Sequence, residues 1–264
     1  MKIDEFLATL PTEIISGDRV SLPEDVLRRI LRFAELKKSD VFYHLGCGDG
    51  KSIRLAVREF GVKKAVGIEL DKKIASTASI GLTTKRASVL NEDMREADIS
   101  EATVVLFWSA DEHLTRQMEK RFKRDMADGA RIITIWAPLG MNLPDKIEFP
   151  FFVCKKPFRR AKSVRDQIKA IYGNDCIDFT AAWTLAEKYI DQMESVQPEY
   201  RRFLNILQGM IIWVNAWNMG IACENEIPPP VDTYLGILRT FFDIDLSSMI
   251  NPDPGKPGRT GQSI

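Results

Sequence analysis

Three glycines at alternate positions constrain this chain more than any other feature. Gly46, Gly48 and Gly50 close a short run rich in β-formers, Val41-Phe42-Tyr43-His44-Leu45. Beyond them, Ile53, Leu55, Ala56, Val57 and Phe60 fall at helical spacing. The pattern predicts a strand, a tight turn and a helix. With no Cβ in the way, a ligand can approach the main chain of such a turn closely. The N–H groups that open the helix face that ligand. A second apolar strand, Ala65-Val66-Gly67-Ile68-Glu69-Leu70, carries an acid near its end. In βαβ nucleotide-binding units an acid about 20 residues past the glycines accepts the ribose hydroxyls, and Glu69 takes that place.

The spacing separates ligand classes. Gly50-Lys51-Ser52 resembles the end of a P-loop, but that motif needs a glycine five positions before Gly50, where Leu45 stands. A nicotinamide or flavin dinucleotide wants glycine or alanine at the sixth position of the turn, and Lys51 is there. The third class is S-adenosylmethionine, whose class I methyltransferases have a Leu-Gly-x-Gly-x-Gly turn and an acid ending the second strand.

The likeness is narrower than the class. Leu45-Gly46-Cys47-Gly48-Asp49-Gly50, then Val66-Gly67-Ile68-Glu69, then Asp98-Ile99-Ser100-Glu101-Ala102-Thr103-Val104-Val105 resembles the archaeal broad-specificity protein lysine methyltransferases. The resemblance reaches upstream to Pro23-Glu24-Asp25-Val26-Leu27-Arg28-Arg29 and covers roughly Val20 to Trp136. It implies an α/β fold, a doubly wound, mostly parallel, Rossmann-like sheet, with S-adenosyl-L-methionine as cofactor. It also implies methyl transfer to an amine, foremost protein lysine, with a small amine or RNA as alternative acceptors. A further alternative is a non-catalytic cofactor-binding or scaffold protein of the same fold. The residues implied at the cofactor are His44, Gly46, Gly48, Asp49, Gly50, Glu69, Leu70, Asp93, Met94 and Trp108. Asp93 would take the adenine amine and Met94 would lie on the ring.

Two positions depart from that family. His44 stands where members carry an acid that helps hold the methionine amino group, and Leu22 replaces a cofactor-side threonine. A neutral histidine accepts a hydrogen bond from an ammonium, whereas a cationic one repels it. His44 is read either as that contact or as an ordinary buried residue. Trp108, past the fourth strand, either walls a channel for an alkylammonium by a cation–π contact or is packed core. Asp111 is read as the N-cap of the next helix. Asp111, Glu112 and His113 are general-base candidates by position alone, so no catalytic residue is assigned.

The rest of the chain bounds the setting. Net charge is zero, so no overall field draws nucleic acid or a membrane surface. The basic run Lys155 to Lys162 is read as a solvated linker rather than an RNA contact. Cys47, Cys154, Cys176 and Cys223 lack C-x-x-C spacing, which predicts neither a zinc site nor a disulfide framework and a reducing, cytoplasmic setting. Residues Met1 to Phe6 lack the charge and apolar core of a signal peptide. Met210 to Cys223 is too short for a bilayer span and holds Asn215 and Asn218, so it reads as a buried helix.

Helices are predicted over Met1–Leu10, from Pro23, from Asp71 to about Gly81, from Asp111 to about Met126, to about Tyr172, over Ala181–Val196, Pro198–Glu224 and Val231–Phe242. Further strands are predicted over Arg86–Leu90, Thr103–Trp108 and Ala130–Trp136. A single closing strand is expected over Ile147–Val153, interrupted at Pro150, in place of the usual hairpin. The expected organisation is a helical lead-in (1–21), a cofactor-binding domain (22–157), a helical extension (158–250) and a disordered Pro/Gly-rich tail (251–264). The extension is read as a subdomain, a substrate lid or a homodimer interface.

Overall fold

The computed structural model describes residues 22–109, 111–193 and 198–252. The predicted helix over Met1–Leu10 and all but the first two residues of the predicted tail lie outside them. The described chain forms two compact units that divide between Ala161 and Lys162.

The first unit runs α1 (Glu24–Phe33), β1 (Val41–Leu45), α2 (Lys51–Arg58), β2 (Lys64–Glu69), α3 (Lys72–Ile80), β3 (Ala87–Asn91), β4 (Val104–Leu106), α4 (Glu112–Asp125) and β5 (Arg131–Ile135). It continues through β6 (Asn142–Leu143), β7 (Lys146–Glu148), β8 (Phe151–Lys155) and β9 (Arg159–Arg160). Seven strands form one sheet in the order β3-β2-β1-β4-β5-β8-β7. The first five are parallel, and β8 pairs antiparallel with β5 and with β7. Every residue of β1 and β4 is buried. That burial explains their near-continuous apolar sequence, because a parallel strand is covered on both faces. Tyr43, Leu45, Val105 and Phe107 face a core shared with Met118 and Phe122 of α4. The strand order reverses between β1 and β4. Open α/β sheets bind ligands at the carboxyl ends of the strands beside such a reversal.

The fold class is the one predicted, but the sheet edge is not. A complete closing hairpin stands where one interrupted strand was expected, with Ile147 opposite Phe152 and Glu148 opposite Phe151. Phe149-Pro150 is therefore the turn between two strands. β7 has three residues, two of them charged, and it lies at the exposed edge. Such a strand leaves no apolar run in the sequence. The basic run also differs from a free linker. Arg159 and Arg160 pair with Leu143 and Asn142, and their side chains meet Asp145 and Glu119. Pro23 is the N-cap of α1, one place before the predicted first turn. The fourth strand is only three residues long.

The second unit holds α5 (Val164–Tyr172), α6 (Phe179–Met193), α7 (Pro198–Asn218) and α8 (Pro229–Phe242), then a 3-10 turn at Ser247–Met249. Its core gathers Met210, Trp213, Val214, Val231 and Leu238. Trp213 stacks on Trp217 with ring centroids 5.3 Å apart. The buried indole donates to Glu224 Oε2 at 3.2 Å, and Glu224 Oε1 accepts from Phe179 N at 3.1 Å. Among the described residues no helix is long and apolar enough to cross a membrane.

One expectation is overturned here. Cys176 and Cys223 form a disulfide. They lie 47 residues apart in sequence, so local spacing could not reveal them. The parallel bridge between Ile177 and Ala222 brings them together. With two of the four thiols paired, the cysteine pattern gives no support to a reducing compartment. Cys47 and Cys154 are free and buried.

Candidate functional site

The turn after β1 is held from the neighbouring strand. Gly46 N and Cys47 N both donate to Ile68 O, at 2.9 and 3.0 Å. Gly48 N donates to Glu69 Oε2 at 3.0 Å. The other oxygen, Oε1, accepts from Asp71 N at 2.9 Å. Asn91 on β3 donates to the carbonyls of Glu69 and Leu70. The acid is thus oriented by three strand ends and still has lone pairs to offer. Gly48 has φ +55°, and a Cβ built on it would meet no described residue within 4 Å. Gly50, at φ +74°, is the N-cap of α2.

The far side of the turn is polar and tied down. Asp49 pairs with Lys51 at 2.9 Å, and its carbonyl accepts from Arg54 at 2.8 Å. Burial works to raise the Asp49 carboxyl, but the Lys51 hydrogen bonds outweigh it and hold the group below its ordinary range. Cys47 is inert, because burial pushes its thiol up to about 12.

Beside the turn, at the carboxyl ends of β2 and β3, lies a cleft of about 290 Å³. Ile68, Leu70, Met94 and Leu114 give it apolar walls, and Asp93 and Asp111 give it carboxylates. Leu70 is 68% exposed, unusual for leucine. Asp93 accepts from Arg95 Nε at 2.9 Å and from Arg95 N at 2.8 Å. These Arg95 hydrogen bonds keep its carboxyl below the usual range. Asp111 caps α4, accepting from His113 N at 2.7 Å and Leu114 N at 3.2 Å.

At the strand-order reversal, His44 is buried among β1, α2 and the end of β4. Its Nδ1 lies 2.6 Å from Ser52 Oγ, while Nε2 is buried and has no hydrogen-bond partner among the described residues. Burial lowers its pKa to about 3, so the ring is neutral at physiological pH. Its centroid is 5.4 Å from that of Trp108, which is half-buried.

Comparison with known proteins places the chain. The family profile described as "Histone methylation protein DOT1" matches residues 21–86. A protein-lysine N-methyltransferase of Saccharolobus islandicus is 39% identical over 122 residues, which is 44% of this chain and 73% of the relative. The chain belongs to that methyltransferase family. The crystal structure of an RNA methyltransferase from Salinibacter ruber, in complex with S-adenosyl-L-homocysteine, is also similar. It is 26% identical with a TM-score of 0.50, and the match covers 55% of this chain and 98% of that one.

Set in this methyltransferase fold, the ten residues predicted at the site fall into three groups. Gly46, Gly48, Asp49, Gly50 and Glu69 form the turn and its carboxylate support. Leu70, Asp93 and Met94 line the cleft. His44 and Trp108 form a separate pair at the reversal, outside the cleft walls. Sequence reasoning missed Ser52, Arg95 and Gly67. A Cβ on Gly67 would sit 2.5 Å from Cys47 Sγ and 3.1 Å from Val89 Cγ2, so the turn closes only over a glycine. A glycine inside an apolar strand is itself a sign of close approach. Nothing in the sequence singles out Ser52.

Proposed function

We propose that this methyltransferase transfers a methyl group from S-adenosyl-L-methionine to the ε-amine of lysine in proteins. One juxtaposition supports the reading most. A main-chain turn with no described residue over Gly48 sits against a carboxylate, Glu69, fixed one strand over. That arrangement fits a nucleoside lying on the glycines with its ribose on Glu69. Leu70, Asp93 and Met94 would receive the adenine, and Gly46, Asp49 and Gly50 would border the sugar and the amino-acid end. The orphaned Nε2 of His44 fits a hydrogen-bond donor such as an ammonium. Because the ring is neutral, it adds no repulsion there.

When bound, the cofactor supplies an electrophilic methyl and a neutral leaving group. The chain's own residues then align an amine with that methyl and exclude water. A lysine must also shed its proton. Half-buried apolar surroundings such as those of Trp108 lower an amine's pKa and favour the neutral nucleophile. No side chain is assigned as a general base. Asp111 is committed to its cap, Glu112 to Arg116, and His113 to Gln117.

Gly48→Asn tests the placement. Asparagine tolerates positive φ, so the turn should fold while the new side chain fills the ligand's space. Calorimetry should show S-adenosylmethionine affinity falling about 100-fold, or about 2.7 kcal/mol. Undiminished affinity would remove the nucleoside from this turn. An RNA acceptor is the second reading, favoured by the similarity to the Salinibacter ruber enzyme. Methyl transfer to protein, RNA and small amines, assayed side by side, decides the acceptor.

A further inference from the structure

The sheet has two outer strands, and they are defended differently. β7 is three residues long, and two of them are charged. Short, charged edges resist pairing with another chain. β3, at the other edge, has no such defence. Its five residues, Ala87-Ser88-Val89-Leu90-Asn91, include no charge and no proline. Leu90 is 39% exposed. Beside the strand, Ser79 Oγ donates to Val89 O at 3.4 Å, and the next residue, Ile80, is 85% exposed.

The backbone of β3 is half used. Arg86 O accepts from Ala65 N at 2.8 Å, and Glu92 N donates to Glu69 O at 3.2 Å. Even-numbered residues therefore turn their polar main-chain groups toward β2, and Ala87, Val89 and Asn91 turn theirs outward. Ala87 N donates back to Thr84 O at 3.1 Å. Among the described residues the N–H groups of Val89 and Asn91 have no acceptor. The charges that flank the strand are ordered as well. Lys85 and Arg86 precede it, and Glu92 and Asp93 follow it. A strand that is basic at one end and acidic at the other is complementary to itself run backwards.

We propose that β3 is the docking edge for a second copy of this chain, joined antiparallel about a two-fold axis at Val89. Pairing Val89 with its symmetry mate sets Ala87 opposite Asn91, Ser88 opposite Leu90, and Arg86 opposite Glu92. This register uses the outward groups. Val89 N–H donates to Val89 O of the second copy and Asn91 N–H to its Ala87 O, each twice by symmetry. Side chains directly opposite share a face, so each Arg86 meets a Glu92, and the two Leu90 side chains lie diagonally across the axis. Both charges are available. Glu92 is exposed, and the Arg86 guanidinium donates only Nη1 within its own chain, to Val62 O at 3.3 Å. The two seven-stranded sheets then run on as one. The inference does not rest on the identity of the methyl acceptor.

Sedimentation velocity on the full chain at low salt, from about 1 to about 100 μM, should show a monomer–dimer equilibrium with a micromolar Kd, as fits a small interface. Arg86→Glu and Glu92→Arg each set two like-charged pairs across the axis, and each should weaken the dimer about 30-fold. An equimolar mixture of the two variants makes both pairs opposite in charge again and should dimerise like wild type. The double variant Arg86→Glu/Glu92→Arg should do so by itself. No folding defect could produce these two recoveries, and a dimer through the helical unit would not respond to either single change. Wild type that stays monomeric at about 100 μM overturns the proposal. So does a dimer that both single variants leave intact, or a mixture and a double variant that stay dissociated.

Discussion

The two units of this molecule are held together in opposite ways. In the sheet unit the site is made from what is absent. Side chains are missing at Gly46, Gly48, Gly50 and Gly67, and main-chain donors and acceptors meet across strand ends. In the helical unit, large side chains and a covalent link fill the interior: Trp213 on Trp217, Phe203 against Phe242, and the Cys176–Cys223 disulfide. The first unit should therefore be sensitive to atoms added, and the second to atoms removed. The difference follows from what each must fit. A turn packed close against the neighbouring strand leaves no room for a Cβ at Gly67, whereas a small helical unit depends on buried volume.

The largest effect expected from this contrast is on the helical side. Trp213 is fully buried and its indole N–H is paired with Glu224. Trp213→Ala should cost about 3–5 kcal/mol, measured by urea unfolding, because it opens a cavity and leaves the Glu224 carboxylate short of a donor. A loss below about 1 kcal/mol would mean that packing is not what holds this unit.

A smaller effect is expected on the sheet side, from a single added carbon. Gly67→Ala places a Cβ 2.5 Å from Cys47 Sγ. The cost should be about 1–3 kcal/mol of stability, with weakened cofactor affinity as the turn shifts. Cys47→Ala removes the sulfur, so the double variant should recover most of the loss. The coupling energy from the four-protein cycle is the measurement. If the two changes simply add, the turn does not depend on that contact.

How far each unit could be read from sequence tracks the same contrast. The glycine turn, the acid at Glu69 and the burial of β1 were legible because spacing and apolar runs encode them directly. The N-caps Asp71 and Asp111 were legible because a carboxylate before a helix has one common use. β7 was not, because a three-residue charged edge strand has no periodicity to detect. The disulfide was not, because its halves meet only after four helices pack. The Arg95 clamp on Asp93 and the Ser52 contact to His44 depend on side-chain direction, which spacing does not carry. His44 shows this division within one residue. The sequence marks it as unusual in its place, and only the structure assigns one ring nitrogen to Ser52 and leaves the other unsatisfied.

That histidine carries an effect that is nil at neutral pH and grows only on acidification, and one that could break the contrast from within the sheet unit. It is a filled, buried position beside a site otherwise made by absence. Its folded pKa, about 3, lies below the ordinary histidine value near 6.5. Between these two values the unfolded chain binds a proton that the folded chain refuses. The neutral ring's contribution is therefore fully present above pH 6.5 and is lost progressively as pH falls toward 3. The slope approaches about 1.4 kcal/mol per pH unit inside that window. Carboxylates such as Asp93, held below their ordinary range, lose their contribution at the acid end of it. The decisive quantity is thus the difference between wild type and His44→Gln, which keeps a buried polar group but cannot titrate there. The variant's stability, measured by urea unfolding from pH 7 to pH 4.5, should fall less steeply than that of wild type. Equal slopes would mean that His44 is hydrated and protonates normally, and the β1–β4 reversal would then be a wet crevice rather than a dry wall.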